Sequence, residues 1–266
     1  MAEINPEFWM PESPLDVFFL DWDSTLTTIE GIDFLASMNG VGTQVQSITQ
    51  KCMAKTGLSK ADYSKRLDLI KPGKAQIEQL ALGYITHLTP GVRDTIQLLH
   101  SIGKKIYILS GGIKSAIMPL AEELGIAPAH VLAVDLYFND AGQYEGFNEL
   151  SDLIQPHGKN RQIEKVLKAN ERSLLCGDGF SDWEAKTAVT RFVGYAGVSP
   201  KAWVQEHSEF YINHINIVSL LALSLTKAEQ INLKGKHKIS YEQGLADIKK
   251  GLVLIKEHDN VYHTNS

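Results

Sequence analysis

The chain has 266 residues, 44% apolar and 21% charged, which fits a soluble globular protein and excludes a disordered segment or a small disulfide-stapled domain. Its 26 lysines and arginines against 31 acids leave a formal net charge of -5 with no long basic run, so neither nucleic acid nor an anionic membrane is the expected partner. Two cysteines, Cys52 and Cys176, lie far apart in the chain; they form no metal-type pair and read as reduced thiols of a cytoplasmic protein.

The N-terminal stretch MAEINPEFWMPESP is polar and broken by proline, unlike a signal peptide. Val17 to Leu20 is a short continuous apolar run, the pattern of a strand buried on both faces. It leads straight into Asp21 and Asp23. From Ile29 to about Leu82 the pattern is helical and polar-rich, with breaks near Gly40 and Pro72. Thr89, Pro90 and Gly91 open an apolar-periodic helix through Leu98 and Leu99. Lys105 to Leu109 reads as a second buried strand, ended by Ser110, Gly111 and Gly112. A helix follows through Ala121 and Leu124 to Gly125. Val131 to Phe138 is a third strand, with Gln143 to Phe147 as a hairpin partner. Asn160 to Lys168 is helical, and Ser173 to Cys176 is a fourth strand, ended by Gly177, Asp178 and Gly179. Phe192 to Tyr195 and Phe210 to Ile212 complete the strands. Ile217 to Leu225 is the most apolar stretch and is too short to span a bilayer. Strands alternating with helices predict an α/β fold with a parallel sheet covered on both faces.

In such sheets ligands bind beyond the carboxyl ends of the strands. Three predicted strand ends carry polar or flexible groups: Asp21 and Asp23, then Ser110 with Gly111 and Gly112, then Asp178 with Asp182. Clustered carboxylates without cysteine or histidine suit a hard cation, foremost Mg²⁺. A serine, exposed backbone amides and a lysine such as Lys159 suit a phosphate. Taken singly, each feature has a plainer reading: a turn aspartate, a helix cap, a glycine turn, a solvated lysine. Their joint occurrence, in order, on the ends of an α/β pattern is what favours chemistry.

The stretches DWDST, ILSGG, HGKNRQI and GDGFSD resemble the four ordered motifs of the haloacid dehalogenase-like phosphatases. DWDSTLTTIEGIDFLA and SKRLDLIKP are most similar to the phosphoserine phosphatases within that superfamily. The resemblance implies a Rossmann-like core formed by residues 1–28 and 86–225. A helical cap, residues 29–85, is inserted after the first strand, and residues 226–266 form a C-terminal helical extension. It also implies Mg²⁺-dependent hydrolysis of a small phosphomonoester, O-phosphoserine foremost, through an aspartyl-phosphate. Asp21 would be the nucleophile and Asp23 the acid and base. The carboxylates of Asp21 and Asp178, the Asp23 backbone carbonyl and nearby Asp182 would hold the metal. Ser110, Gly111 and Gly112 would take the phosphate, and Lys159 would offset its charge. In the cap, Glu30 would receive an ammonium and Arg66 a carboxylate, which a guanidinium matches bidentately. Without the resemblance, Glu30 reads as a charge supporting a helix start, and Arg66 as an exposed helix charge paired with Asp62.

Two stretches depart from the resemblance. Met53 to Ser59 lacks the aromatic that ends this segment in the phosphoserine phosphatases, and Ala133-Val134-Asp135-Leu136 stands where they carry Ala-Asn-x-Leu. A phosphatase for another small metabolite, such as a phosphorylated amino alcohol, and a non-enzymatic regulatory protein of the same fold are the alternatives. Beyond the resemblance, Tyr241, Leu245, Ile248, Leu252 and Ile255 fall on one helical face. That stripe predicts a helix docked on its own core, with a homodimer or partner helix as the second reading.

Overall fold

The computed structural model describes residues 9–53, 59–197 and 200–256, with side chains of 51–53 excepted. Nine strands are present among these residues: β1 (Val17–Leu20), β2 (Lys105–Ile113), β3 (Val131–Val134), β4 (Leu136–Phe138), β5 (Tyr144–Phe147), β6 (Ser173–Gly177), β7 (Arg191–Tyr195), β8 (Phe210–Ile212) and β9 (Val253–Ile255). Seven form one sheet in the order β3-β2-β1-β6-β7-β8-β9. All neighbours are parallel except β9, which runs antiparallel to β8.

β1 lies at the centre, and its four residues are fully covered. Phe18 and Leu20 face one apolar cluster while Val17 and Phe19 face the other, so the unbroken apolar run follows from two buried faces. Sequence order reverses at β1, with β2 on one side and β6 on the other. That is the switch point at which such sheets open a crevice beyond their carboxyl ends.

Four helices follow β1: α1 (Gly31–Met38), α2 (Gly42–Met53), α3 (Lys60–Ile70) and α4 (Lys74–Thr86). The Ser59 hydroxyl caps α3 by accepting from the Asp62 N–H, while Asp62 reaches back to Ser59. A left-handed Lys71 (φ 45°) and Pro72 end that helix. The linkers into and out of this segment run together. Thr27 bridges Leu88, Thr28 N–H donates to the His87 carbonyl at 2.8 Å, and Thr89 N–H donates to the Leu26 carbonyl at 3.0 Å.

Helices α5 (Val92–Ser101), α6 (Lys114–Glu123), α7 (Gly158–Val166), α8 (Phe180–Glu184) and α9 (Ala202–His207) connect the later strands. α10 (Ser219–Ser224), α11 (Lys227–Ile231) and α12 (Gly235–Lys249) follow β8. No helix of the described residues is long and apolar enough to cross a membrane.

Three expectations are corrected in detail. β2 does not stop at Leu109 but continues through Ser110, Gly111 and Gly112 to Ile113, with its pairing to β3 shifting register there. The predicted third strand divides: 131–134 joins the main sheet, whereas 136–138 pairs with β5 in a separate two-stranded sheet. The C-terminal stripe also divides. Tyr241 and Ile248 are buried on α12, which packs on α10 and α5. Leu252 and Ile255 lie past the helix end, Ile255 within β9. Cys176 is a free, fully buried thiol in β6. The Cys52 side chain and residues 54–58 of the departing 53–59 stretch lie outside the described residues.

Candidate active site

The carboxyl ends of β1 and β6 deliver the acids. Asp21 N–H still donates to the Cys176 carbonyl at 2.9 Å, so the first residue beyond β1 remains tied to β6. Asp178 follows β6 directly. Asp182 is folded back over the strand end by the first turn of α8, where its Oδ2 accepts from the Gly179 N–H at 3.1 Å. Asp21, Asp178 and Asp182 are all buried, and each offers a carboxylate oxygen within 4.8 Å of the others.

Two lysines answer this charge. Lys159, in the first turn of α7, is buried and sits 2.9 Å from Asp21 Oδ1 and 2.5 Å from Asp182 Oδ1. Burial works against its charge, but Asp182 and Asp21 outweigh it and hold the ammonium above its usual range. Lys201 lies 2.5 Å from Asp178 Oδ2. Burial and the Asp21 charge push Asp182 up to about 7, with Lys159 opposing. Burial also raises Asp178, with Lys201 opposing and Asp21 adding. Two carboxylates that resist ionising beside a third mark a site short of positive charge. The donor set is all oxygen, without the nitrogen or sulfur that a softer metal prefers. These residues therefore fit a hard divalent cation.

Asp23 stands apart from that triad. Its Oδ1 accepts from the Gly31 N–H at 2.9 Å and from the Tyr84 hydroxyl at 2.8 Å. Burial raises its pKa well above the usual range, and Glu30 adds to the rise. The chain turns sharply after it, with Ser24 in the left-handed region at φ 58°, a strained position for a residue with a side chain. That turn brings the Ser24 hydroxyl to Glu30 Oε1 at 2.7 Å. On β2, the buried Ser110 Oγ accepts from the Gly112 N–H at 3.0 Å. A Cβ built on Gly112 would lie 2.7 Å from Asp23 Oδ2, so glycine is what lets β2 approach Asp23 this closely.

Glu30 immediately precedes α1 but makes no side-chain capping bond. Burial raises its pKa and the charge of Asp178 adds to it, while Lys201 opposes. Glu30 thus faces the acid cluster. Arg66 on α3 is 4% exposed, with its guanidinium carbon 5.6 Å from the Tyr63 ring centroid, which removes the reading as an exposed helix charge. Arg66 and Asp23 both act on the buried Tyr63 hydroxyl, so α3 reaches toward the same crevice. Sequence reasoning missed Lys201, Ser24 and Tyr84. Ser24 alone carried a signal, since it adjoins the paired aspartates.

Buried carboxylates bridged by a lysine, on the carboxyl edge of a parallel sheet, define the class: an α/β protein with a candidate cation site at its sheet edge. The family model described as haloacid dehalogenase-like hydrolase matches residues 15–187, and the chain belongs to that family. The phosphoserine phosphatase of Bos taurus is 34% identical over 200 residues, 74% of this chain and 88% of that protein. The phosphoserine phosphatase of Homo sapiens is 33% identical over the same shares. Among solved structures, a phosphoserine phosphohydrolase-like protein from Francisella tularensis aligns with a TM-score of 0.70 at 22% identity, covering 79% of this chain and 99% of its own. A substrate-bound phosphoserine phosphatase complex aligns at 0.68 and 24% identity, covering 79% and 98%. At those identities the two structures speak to the fold.

Proposed function

We propose that the protein hydrolyses a small phosphomonoester through a phosphoryl group carried on Asp21, with O-phosphoserine as the preferred substrate. The observation that carries this is the placement of Asp21 between Lys159 and two further buried carboxylates. Residues 29–85 act as the cap over the crevice, on the core of 1–28 and 86–225, with residues 226–266 as a C-terminal helical extension whose α12 and β9 pack on that core.

Asp21, Asp178, the Asp23 carbonyl and nearby Asp182 would hold Mg²⁺, which when bound neutralises the repulsion between a carboxylate nucleophile and a phosphate dianion. Ser110 and the Gly111 amide hold phosphate oxygens, with Gly112 beside them, and Lys159 offsets the charge spread over them. An Asp21 oxygen attacks phosphorus and the ester P–O bond breaks. The electron pair leaves on the serine oxygen, to which Asp23 gives a proton. Asp23 then takes a proton from water as that water's oxygen attacks phosphorus. The bond to Asp21 breaks, and the carboxylate and inorganic phosphate are released. In the cap, Glu30 accepts the substrate ammonium, whose charge relieves the crowding with Asp178. Arg66 forks onto the substrate carboxylate. The curated relatives named phosphoserine phosphatase support this choice of substrate.

The test is kcat/KM over a panel of phosphomonoesters, for the wild type, Asp21→Asn and Arg66→Ala. Asp21→Asn keeps the shape but loses the nucleophile, and is expected to abolish turnover. Arg66→Ala is expected to cost roughly 2–4 kcal/mol on O-phosphoserine, the scale of an unpaired desolvated charge. An aryl phosphate, having no carboxylate, should be little affected. Active Asp21→Asn would refute the covalent step. Preference for phosphoethanolamine, or equal losses with Arg66→Ala, would replace phosphoserine with another small metabolite.

A further inference from the structure

Tyr84 belongs to none of the four motifs. It lies near the end of α4, one turn before the linker that returns to the core, and it is fully buried. Its hydroxyl donates to Asp23 Oδ1 across 61 residues of sequence. The Gly31 N–H donates to the same oxygen. The two oxygens of Asp23 are therefore unlike. Oδ1 is taken by two donors, while Oδ2 faces Gly112 on β2.

The surroundings fix the Tyr84 ring. Trp22, the residue between the paired aspartates and itself fully buried, meets it edge-on, with centroids 5.6 Å apart and planes at 86°. Gly31 provides the clearance: a Cβ there would lie 2.1 Å from the Tyr84 hydroxyl oxygen. Trp22, Gly31 and Tyr84 thus form one fitted set whose polar end meets a single carboxylate oxygen.

We infer that Tyr84 is a positioning residue for proton transfer: it holds Asp23 Oδ1 so that Oδ2 is presented to the oxygen leaving phosphorus. The inference rests on Asp23 acting as the acid, as proposed above. Tyr84 is carried by the helical segment, whereas Asp23 is carried by the core. Seating α4 and aiming the acid are therefore one event. A segment tilted away from the sheet would take the hydroxyl with it.

The test compares Tyr84→Phe with the wild type on two esters. O-phosphoserine has an alkoxide leaving group that needs a proton. The leaving group of p-nitrophenyl phosphate departs without one, while the nucleophile and phosphate site are the same. With Tyr84→Phe, kcat/KM on O-phosphoserine is expected to fall about tenfold, the scale of one hydrogen bond to a charged group. On p-nitrophenyl phosphate it should fall by less than about threefold, because proton donation contributes little there. A merely structural defect would lower both alike. Equal losses, or no loss on either ester, overturn the inference. If Tyr84→Phe does not fold, Gly31→Ala, which drives the hydroxyl off Asp23, supports the same comparison and should give the same asymmetry. A wild type that hydrolyses neither ester removes the acid role itself, and Tyr84 is then a packing residue only.

Discussion

Gly177 shows how closely single atoms are fitted in this site. A Cβ there would lie 2.2 Å from the Asp182 carboxyl carbon, closer than any real contact, so Gly177→Ala must displace Asp182 from the cluster. We expect this variant to fold, and to need roughly 10–100-fold more Mg²⁺ for half-maximal activity, the range for disturbing the support of a metal ligand. A metal titration of activity checks this, and an unchanged midpoint would place Asp182 outside the metal's environment. Asp21, Asp23, Lys159, Asp178 and Asp182 were legible in sequence because each sits just past a strand end or at a helix start in a fixed order, and Ser110 by its place in that order, although it lies inside β2. Lys201 was not, since one lysine among 26 basic residues reads as a solvated charge. Tyr84 was hidden for another reason. It reads as one more apolar position of α4, and its hydroxyl gains a role only when folding brings Asp23 to it.

The elements were legible where one pattern ruled. The runs of β1, β6, β7 and β8 are short and apolar, and the breaks at Gly40 and Pro72 separate real helices. Reading failed where tertiary pairing overrode local cues. Ser110 to Gly112 looks like a turn, yet pairing with β3 at Leu109 before it and Ile113 after it carries β2 through as an irregularity in the strand. The stripe from Tyr241 to Ile255 kept helical spacing past Lys249, but Gly251 turns left-handed (φ 74°) and the chain leaves to pair with β8. On α12, Gly244 marks the contact with α10: a Cβ there would lie 2.9 Å from the Val218 carbonyl oxygen and 3.2 Å from the Ser219 Cα. On propensity alone, Gly244→Ala would stabilise the helix by about 1 kcal/mol. Here the added methyl meets rigid backbone, at a cost of about 1–3 kcal/mol. We therefore expect net destabilisation, seen as a lower urea midpoint with an unchanged slope. A raised midpoint would mean that α12 is free to shift away from α10.

For the molecule as a whole, the carboxylate cluster would link metal, protons and stability. Burial and the Asp21 charge raise Asp182 to about 7. A carboxyl raised on folding favours the metal-free fold at low pH, and that contribution is lost as pH rises through about 7. Mg²⁺ needs the ionised form, so its binding weakens as pH falls below that value. The rise in Tm on adding Mg²⁺ should be larger at pH about 8 than at about 6; equal increments at the two pH values would show that Asp182 titrates elsewhere. The central position of β1 has a different consequence, one of time. Among the described residues it is the first strand made, yet both its neighbours come late: β2 begins at Lys105 and β6 at Ser173. At ribosomal speeds of about 5–20 residues per second, β1 waits roughly ten to thirty seconds for its second partner. Throughout that interval its VFFL segment is an apolar strand with an unpaired edge, the kind of surface that invites wrong pairing. The strand that carries Asp21, the proposed nucleophile, is thus also the one most in need of shelter while the chain is being made.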